Sequence, residues 1–138
     1  MKYFYSNLIF VPAITFVIAI LIKWFIIKLK TKELNLSAAL WSWWMPSVHS
    51  AVVVSLTTAV WLKLWFTNDL FAVCMAFTVI IIYDAINVRF EAWLHAEAIN
   101  KLLPDWKKYK ESLWHLPSEA FAWCLLWIVV ASIMYYLI

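Results

Sequence analysis

Four apolar runs decide what this chain can become. Leu8–Ile27 is about 20 residues long, which is the length that crosses a bilayer as a helix, and only Lys23 interrupts it near its end. The second run is roughly Ala51–Phe66, the third Leu70–Asn87 and the fourth Glu119–Ile138. Hydrophobic residues make up 67% of the 138 and charged residues 14%. Soluble domains hold about 45–50% apolar residues, so the excess points to an integral membrane protein. The expectation is an all-α, polytopic membrane helical bundle: about four spans plus a short amphipathic helix, with residues 1–138 as a single membrane domain. Met1–Asn7 carries one basic residue before a long apolar run without a small-residue cleavage site, so the first run reads as a true span and not as a signal peptide.

The connections set the orientation. Thr67-Asn68-Asp69 makes a tight link between spans two and three. The loop Lys28–Ser50 holds Lys28, Lys30 and Lys32, and the loop Val88–Ser118 holds Arg89, Lys101, Lys107, Lys108 and Lys110. Both lie on one side of a four-span bundle and carry eight of the eleven basic residues. The positive-inside rule puts that side in the cytoplasm and both termini outside. Within the second of these loops, Glu91–Leu103 has Leu94, Ala98, Ile99 and Leu102 at helical spacing, as in an amphipathic helix on the bundle or membrane surface. Pro104–Glu111 is charged and reads as mobile. Cys74 and Cys124 sit inside apolar runs and read as inert buried thiols. No basic face or readout motif suggests nucleic-acid binding.

Two short motifs stand at span starts on the cytoplasmic side: Met45-Pro46-Ser47-Val48-His49-Ser50 and His115-Leu116-Pro117-Ser118-Glu119. Each sets a histidine beside a proline and a serine where a helix begins. Free N–H groups and the positive dipole end of a helix suit phosphate there. Ser47 and Ser50 add hydroxyls. His115 and Glu119 are four apart, so the carboxylate can orient the imidazole. A zinc set of His49, His95, His115 and Glu119 is a weaker reading, because no close ligand pair is present.

Together these residues resemble the divergent branch of the type-2 phosphatidic acid phosphatases, relatives of the vanadium-dependent haloperoxidases. That branch carries Gly-Gly-Met-Pro-Ser-Ser-His-Ser, which stands here as Trp43-Trp44-Met45-Pro46-Ser47-Val48-His49-Ser50. Its Asp-Ala-x-Gly-Val-Arg stands as Asp84-Ala85-Ile86-Asn87-Val88-Arg89, and its Gly-His-Thr-Pro-x-Glu-Val as Trp114-His115-Leu116-Pro117-Ser118-Glu119-Ala120. The match runs in order from about Lys23 to the C-terminus. The resemblance implies hydrolysis of a lipid or isoprenoid phosphate monoester at a bacterial cell membrane. In that scheme His115 is the nucleophile, Glu119 its orienter and His49 the general acid. Ser47, with nearby amides and Ser50, holds phosphate oxygens. Arg89 and Lys23 act as phosphate clamps, and Asp84, five residues before Arg89, is its partner. No metal or cofactor is required. The alternatives are a catalytically inactive membrane protein that keeps the fold as a binding or structural module, and, for Lys23, a snorkelling residue. Four short spans leave surface enough for a homodimer.

The chain departs from the branch's motifs where Val48 replaces the second serine and Leu116 the threonine, and from the usual phosphatase family in that Arg89 lies far upstream of His115. A larger departure is compositional. There is no glycine and there are eleven tryptophans, whereas average usage would give about ten glycines in this length. Trp41, Trp43, Trp44, Trp93, Trp114 and Trp123 fall where the family favours glycine. Trp61/Trp65 and Trp123/Trp127 are each four apart within a span. As glycine each pair would be a small-xxx-small packing face; as tryptophan each is expected to push neighbouring helices apart. UGA codons meant as glycine and translated as tryptophan account for both anomalies. Deliberate replacement and an interfacial aromatic belt are the competing explanations.

Overall fold

The computed structural model describes residues 8–31, 47–104, 108–109 and 116–137. They form α1 (Phe10–Thr31), α2 (Val48–Leu64), α3 (Asp69–Tyr83), a π-helical turn (Asp84–Val88), α4 (Arg89–Asn100) and α5 (Pro117–Leu137). Three helical stretches are long and apolar enough to cross a membrane: Phe10–Leu29, Asp69–Asn100 and Pro117–Tyr136. The fourth apolar helix, Val48–Leu64, has 17 residues and, at about 1.5 Å per residue, reaches about 25 Å. This is an all-helical membrane bundle, and the described ranges follow the four expected runs with shifts of a few residues at their ends.

Each helix end has a local cause. Pro12 lies in the first turn of α1, where its missing N–H costs nothing. Ser47 caps α2 by accepting from the Ser50 N–H at 3.3 Å. Asn68 caps α3 by accepting from the Leu70 N–H at 2.9 Å. Leu116 cannot cap α5 with its own side chain, and Glu119 does it instead: its Oε2 accepts from the Leu116 N–H at 3.0 Å, one half of a capping box. Between α2 and α3 the turn begins at Trp65, with φ 68° and ψ 162°. That backbone region is essentially reserved for glycine.

The expected amphipathic helix is present, but it is not a separate surface element. The π-helical turn joins α4 directly to α3 as one continuous helical stretch, Asp69–Asn100. Beyond it, Asn100 is buried and holds Tyr109 at two points: its Nδ2 donates to the Tyr109 carbonyl at 2.8 Å, and its Oδ1 accepts the Tyr109 N–H at 2.7 Å. Tyr109, inside the stretch expected to be mobile, is therefore tied to the end of α4.

The core forms around α2, which packs against α1, α3 and α5. Ala19, Ala51, Val54 and Trp127 are its buried centre, and Ile22, Ile82 and Trp123 pack around them. The small residues let the helices approach closely, as membrane helices require. Buried hydroxyls join the helices. Thr15 Oγ1 and Ser55 Oγ lie 2.7 Å apart between α1 and α2. Between α2 and α3, Thr57 Oγ1 and Thr78 Oγ1 lie 2.8 Å apart, and each also reaches a carbonyl of the opposite helix. α3 buries only Cys74 and Thr78, and turns Val73, Phe77 and Ile80 outward, as suits a helix facing lipid.

The two tryptophan pairs behave differently from expectation. Trp61 and Trp65 are exposed and lie outside the buried core cluster. Trp127 is fully buried and is accommodated opposite Ala19 and Ala51, but its indole N–H has no hydrogen-bond partner.

Candidate functional site

The end of the bundle where α1 finishes and α2 and α5 begin gathers the polar residues. His49 occupies the first turn of α2, just outside its apolar span, where its side chain is partly enclosed but still reaches the surface. Ser47 Oγ accepts from the Ser50 N–H, so its own hydroxyl proton can still be donated outward. Ser50 itself is buried. The Ser50 amide is engaged by Ser47, and the Val48 and His49 amides lie at the positive end of the helix.

Asp84 and Arg89 depend on the π-helical turn. Five residues apart in an α-helix they would be rotated by about 140° and could not meet. In the π turn the Arg89 N–H bonds the Asp84 carbonyl instead, which places both on one face. The Arg89 Nε then donates to Asp84 Oδ2 at 3.0 Å. A π-turn of this kind is a common mark of functional sites. Arg89 is the more enclosed partner, with 19% of its side chain exposed against 43% for Asp84. The carboxylate fixes the guanidinium by one nitrogen, and the fork has further donors suited to an anion.

Lys23 settles the choice between an inward and a snorkelling side chain. It is 4% exposed, whereas a snorkelling lysine would hold its head in water. It therefore points into the bundle, one turn before the end of the apolar part of α1. Its charge, that of Arg89 and that of Asp84 all act on His49. Partial burial is the largest cause holding the His49 pKa below the ordinary imidazole value; the positive charges of Arg89 and then Lys23 lower it further, and Asp84 opposes them. One imidazole, two cations and a carboxylate from α1, α2 and the end of α3 thus share one electrostatic neighbourhood. Such a cluster suits an anion with a titratable leaving group.

Glu119 stands at the start of α5, and one of its oxygens is already engaged by the Leu116 N–H. His115 lies outside the described residues, as do Trp41, Trp43, Trp44 and Trp114. Among the described residues no group of three or more His, Cys, Asp or Glu side chains converges as metal ligands. Sequence reasoning overlooked the capping role of Glu119. The signal was available: a glutamate three residues after a helix-start position is the capping-box spacing.

These polar residues lie at one end of a membrane helical bundle. Residues 4–130 match the Divergent PAP2 family, and the chain belongs to it. It is also 37% identical over 111 residues to "Uncharacterized membrane protein YuiD" of Bacillus subtilis (strain 168), covering 67% of this chain and 70% of that one. No solved structure matches the chain. This is a phosphatase-like integral membrane protein.

Proposed function

We propose that the protein hydrolyses a lipid or isoprenoid phosphate monoester at the cytoplasmic membrane face, without a metal, through a phosphohistidine. The observation that carries this reading is the gathering of Lys23, His49 and the Asp84–Arg89 pair at one bundle end. Arg89 and Lys23 hold the phosphate oxygens, and Ser47 with the first amides of α2 donates to the rest. His115, placed by its motif, attacks phosphorus through a ring nitrogen. The bond from phosphorus to the lipid oxygen breaks, and His49 delivers its proton to that oxygen. Water then attacks the phosphohistidine, His49 takes the proton from water, and inorganic phosphate leaves. Release of phosphate from a lipid phosphate in mixed micelles tests the scheme. It should be abolished in His115→Ala and strongly reduced in His49→Ala. Equal release by the wild type and His115→Ala would refute it.

A second reading, a phosphate-binding module without turnover, is favoured by one observation. Glu119 is engaged in capping α5, so its availability to orient His115 is reduced. Phosphate binding without release would support that reading.

We also propose that tryptophan stands at glycine positions. Two features support it: the glycine-type backbone at Trp65 and the orphaned indole N–H of buried Trp127. Replacing all eleven with glycine should raise folding yield in detergent. Sequencing the gene is decisive, since ordinary UGG codons at these positions exclude the reassigned-code explanation.

A further inference from the structure

The site residues come from three helices, and buried hydroxyl contacts join those helices deeper in the bundle. Thr15 and Ser55 meet at 2.7 Å, both fully buried. Thr57 and Thr78 form a crossed pair: Thr57 Oγ1 donates to the Cys74 carbonyl at 3.2 Å, and Thr78 Oγ1 donates to the Val53 carbonyl at 3.2 Å. Cys74 is four residues before Thr78, and Val53 four before Thr57. Each threonine therefore reaches across to the carbonyl that the other would bond within its own helix. Two hydroxyl protons cannot also satisfy the 2.8 Å contact between the oxygens, so the protons can be arranged in more than one way around a fixed frame.

We propose that these two junctions are positioning elements: they hold α1 and α3 on α2 in the axial register that brings Lys23, His49 and the Asp84–Arg89 pair to one depth. Ser55 and Thr57 are two residues apart, so they face roughly opposite sides of α2, about 200° apart. Depth follows from the helical rise. Above the Thr15–Ser55 junction, Lys23 lies eight residues along α1 and His49 six residues back along α2, about 12 and 9 Å respectively at 1.5 Å per residue. Above the Thr57–Thr78 junction, His49 lies about 12 Å away, between Asp84 at about 9 Å and Arg89 at about 16 Å. A slip of one residue shifts a helix by about 1.5 Å and turns its hydroxyl about 100° away from its partner. Register and bonding are thus the same event. The apolar contacts around them are less particular, since similar methyl groups recur along every face.

The charged groups facing His49 are Lys23 from α1, and Asp84 and Arg89 from the turn after α3. Glu119 is the one acidic residue of α5. This makes the His49 ring a reporter of register that needs no turnover. The proposal rests on the phosphatase reading only in treating the cluster as a site.

The test is a pH titration of the histidine rings by NMR, on the full chain in detergent or nanodiscs. His49 is assigned by the loss of its signal in His49→Gln. In Thr57→Val with Thr78→Val, which removes the hydroxyls and keeps the shape, the His49 midpoint should rise. Arg89 lowers it more than Asp84 raises it, so their joint retreat leaves a net upward change. Thr57→Ser with Thr78→Ser should restore the wild-type midpoint. Thr15→Val with Ser55→Ala should also give a rise, since Lys23 lowers the midpoint. An unchanged His49 midpoint in folded valine variants, with only lowered stability, would overturn the proposal and leave the hydroxyls as simple adhesion. If the double variant does not fold, Thr78→Val alone retains the bond from Thr57 to the Cys74 carbonyl, and the same readout decides. A wild type that releases no phosphate would sink the enzymatic reading and leave this result standing.

Discussion

Trp65 offers the sharpest test of how this chain meets its own composition. It is the only residue with positive φ among those described, and it closes α2 through its N–H to the Trp61 carbonyl at 2.8 Å. Holding an L-residue with a Cβ in this backbone region costs about 1–3 kcal/mol. Compare Trp65→Gly with Trp65→Ala. Both lose the same contact with the Phe66 ring, 4.8 Å away, and the same partly exposed indole surface. They differ in the Cβ alone. Glycine removes the strain but adds freedom to the unfolded chain, a counter-effect of about 0.4–1 kcal/mol. The glycine variant should therefore be more stable than the alanine variant by about 1–2 kcal/mol, roughly a 5- to 30-fold change in the folding equilibrium. In an ordinary helix position the order would be reversed. Reversible unfolding in mixed micelles with increasing SDS measures the difference. An alanine variant equal to or more stable than the glycine variant would show that the turn is not strained, and would remove the structural support for glycine at this position.

Other consequences follow from the site and core. Arg89→Ala should lower phosphate release by about 10²–10³-fold, as for loss of a preorganised donor, and Arg89→Lys should recover only part of it. Because the His49 pKa lies below its ordinary value, the unfolded chain binds more protons there than the folded one in mildly acid solution. Stability should therefore fall as pH drops through the ordinary imidazole range, and His49→Gln should flatten that part of a pH–denaturation series. As a general acid His49 must be protonated, so kcat/KM should decline as pH rises through the lowered pKa, and His49→Gln should lose that limb. Trp127→Phe removes an indole N–H with no partner, whose burial costs about 1–3 kcal/mol. It should be near neutral or stabilising, and a loss above about 2 kcal/mol in SDS unfolding would imply a hidden partner for that nitrogen.

Much of this protein was legible in the chain. Apolar run length fixes where spans lie, because a bilayer demands about twenty apolar residues per helix. Three ordered motifs give the family. Ser47 and Glu119 reveal helix starts because capping is local chemistry between neighbours in sequence. Tertiary structure decided the rest. Nothing in the residues Asp84-Ala85-Ile86-Asn87-Val88 announces a π-helical turn, yet only that turn lets Asp84 and Arg89 share a face. Lys23 could have reached for water or been enclosed, and only the folded chain shows it buried. Trp127 could have wedged helices apart, but alanines opposite it left room. In each case the sequence supplied groups whose intrinsic preferences are balanced, and long-range contacts broke the tie. Local chemistry is written along the chain, whereas the depth at which one helix meets another is set only when their side chains interlock.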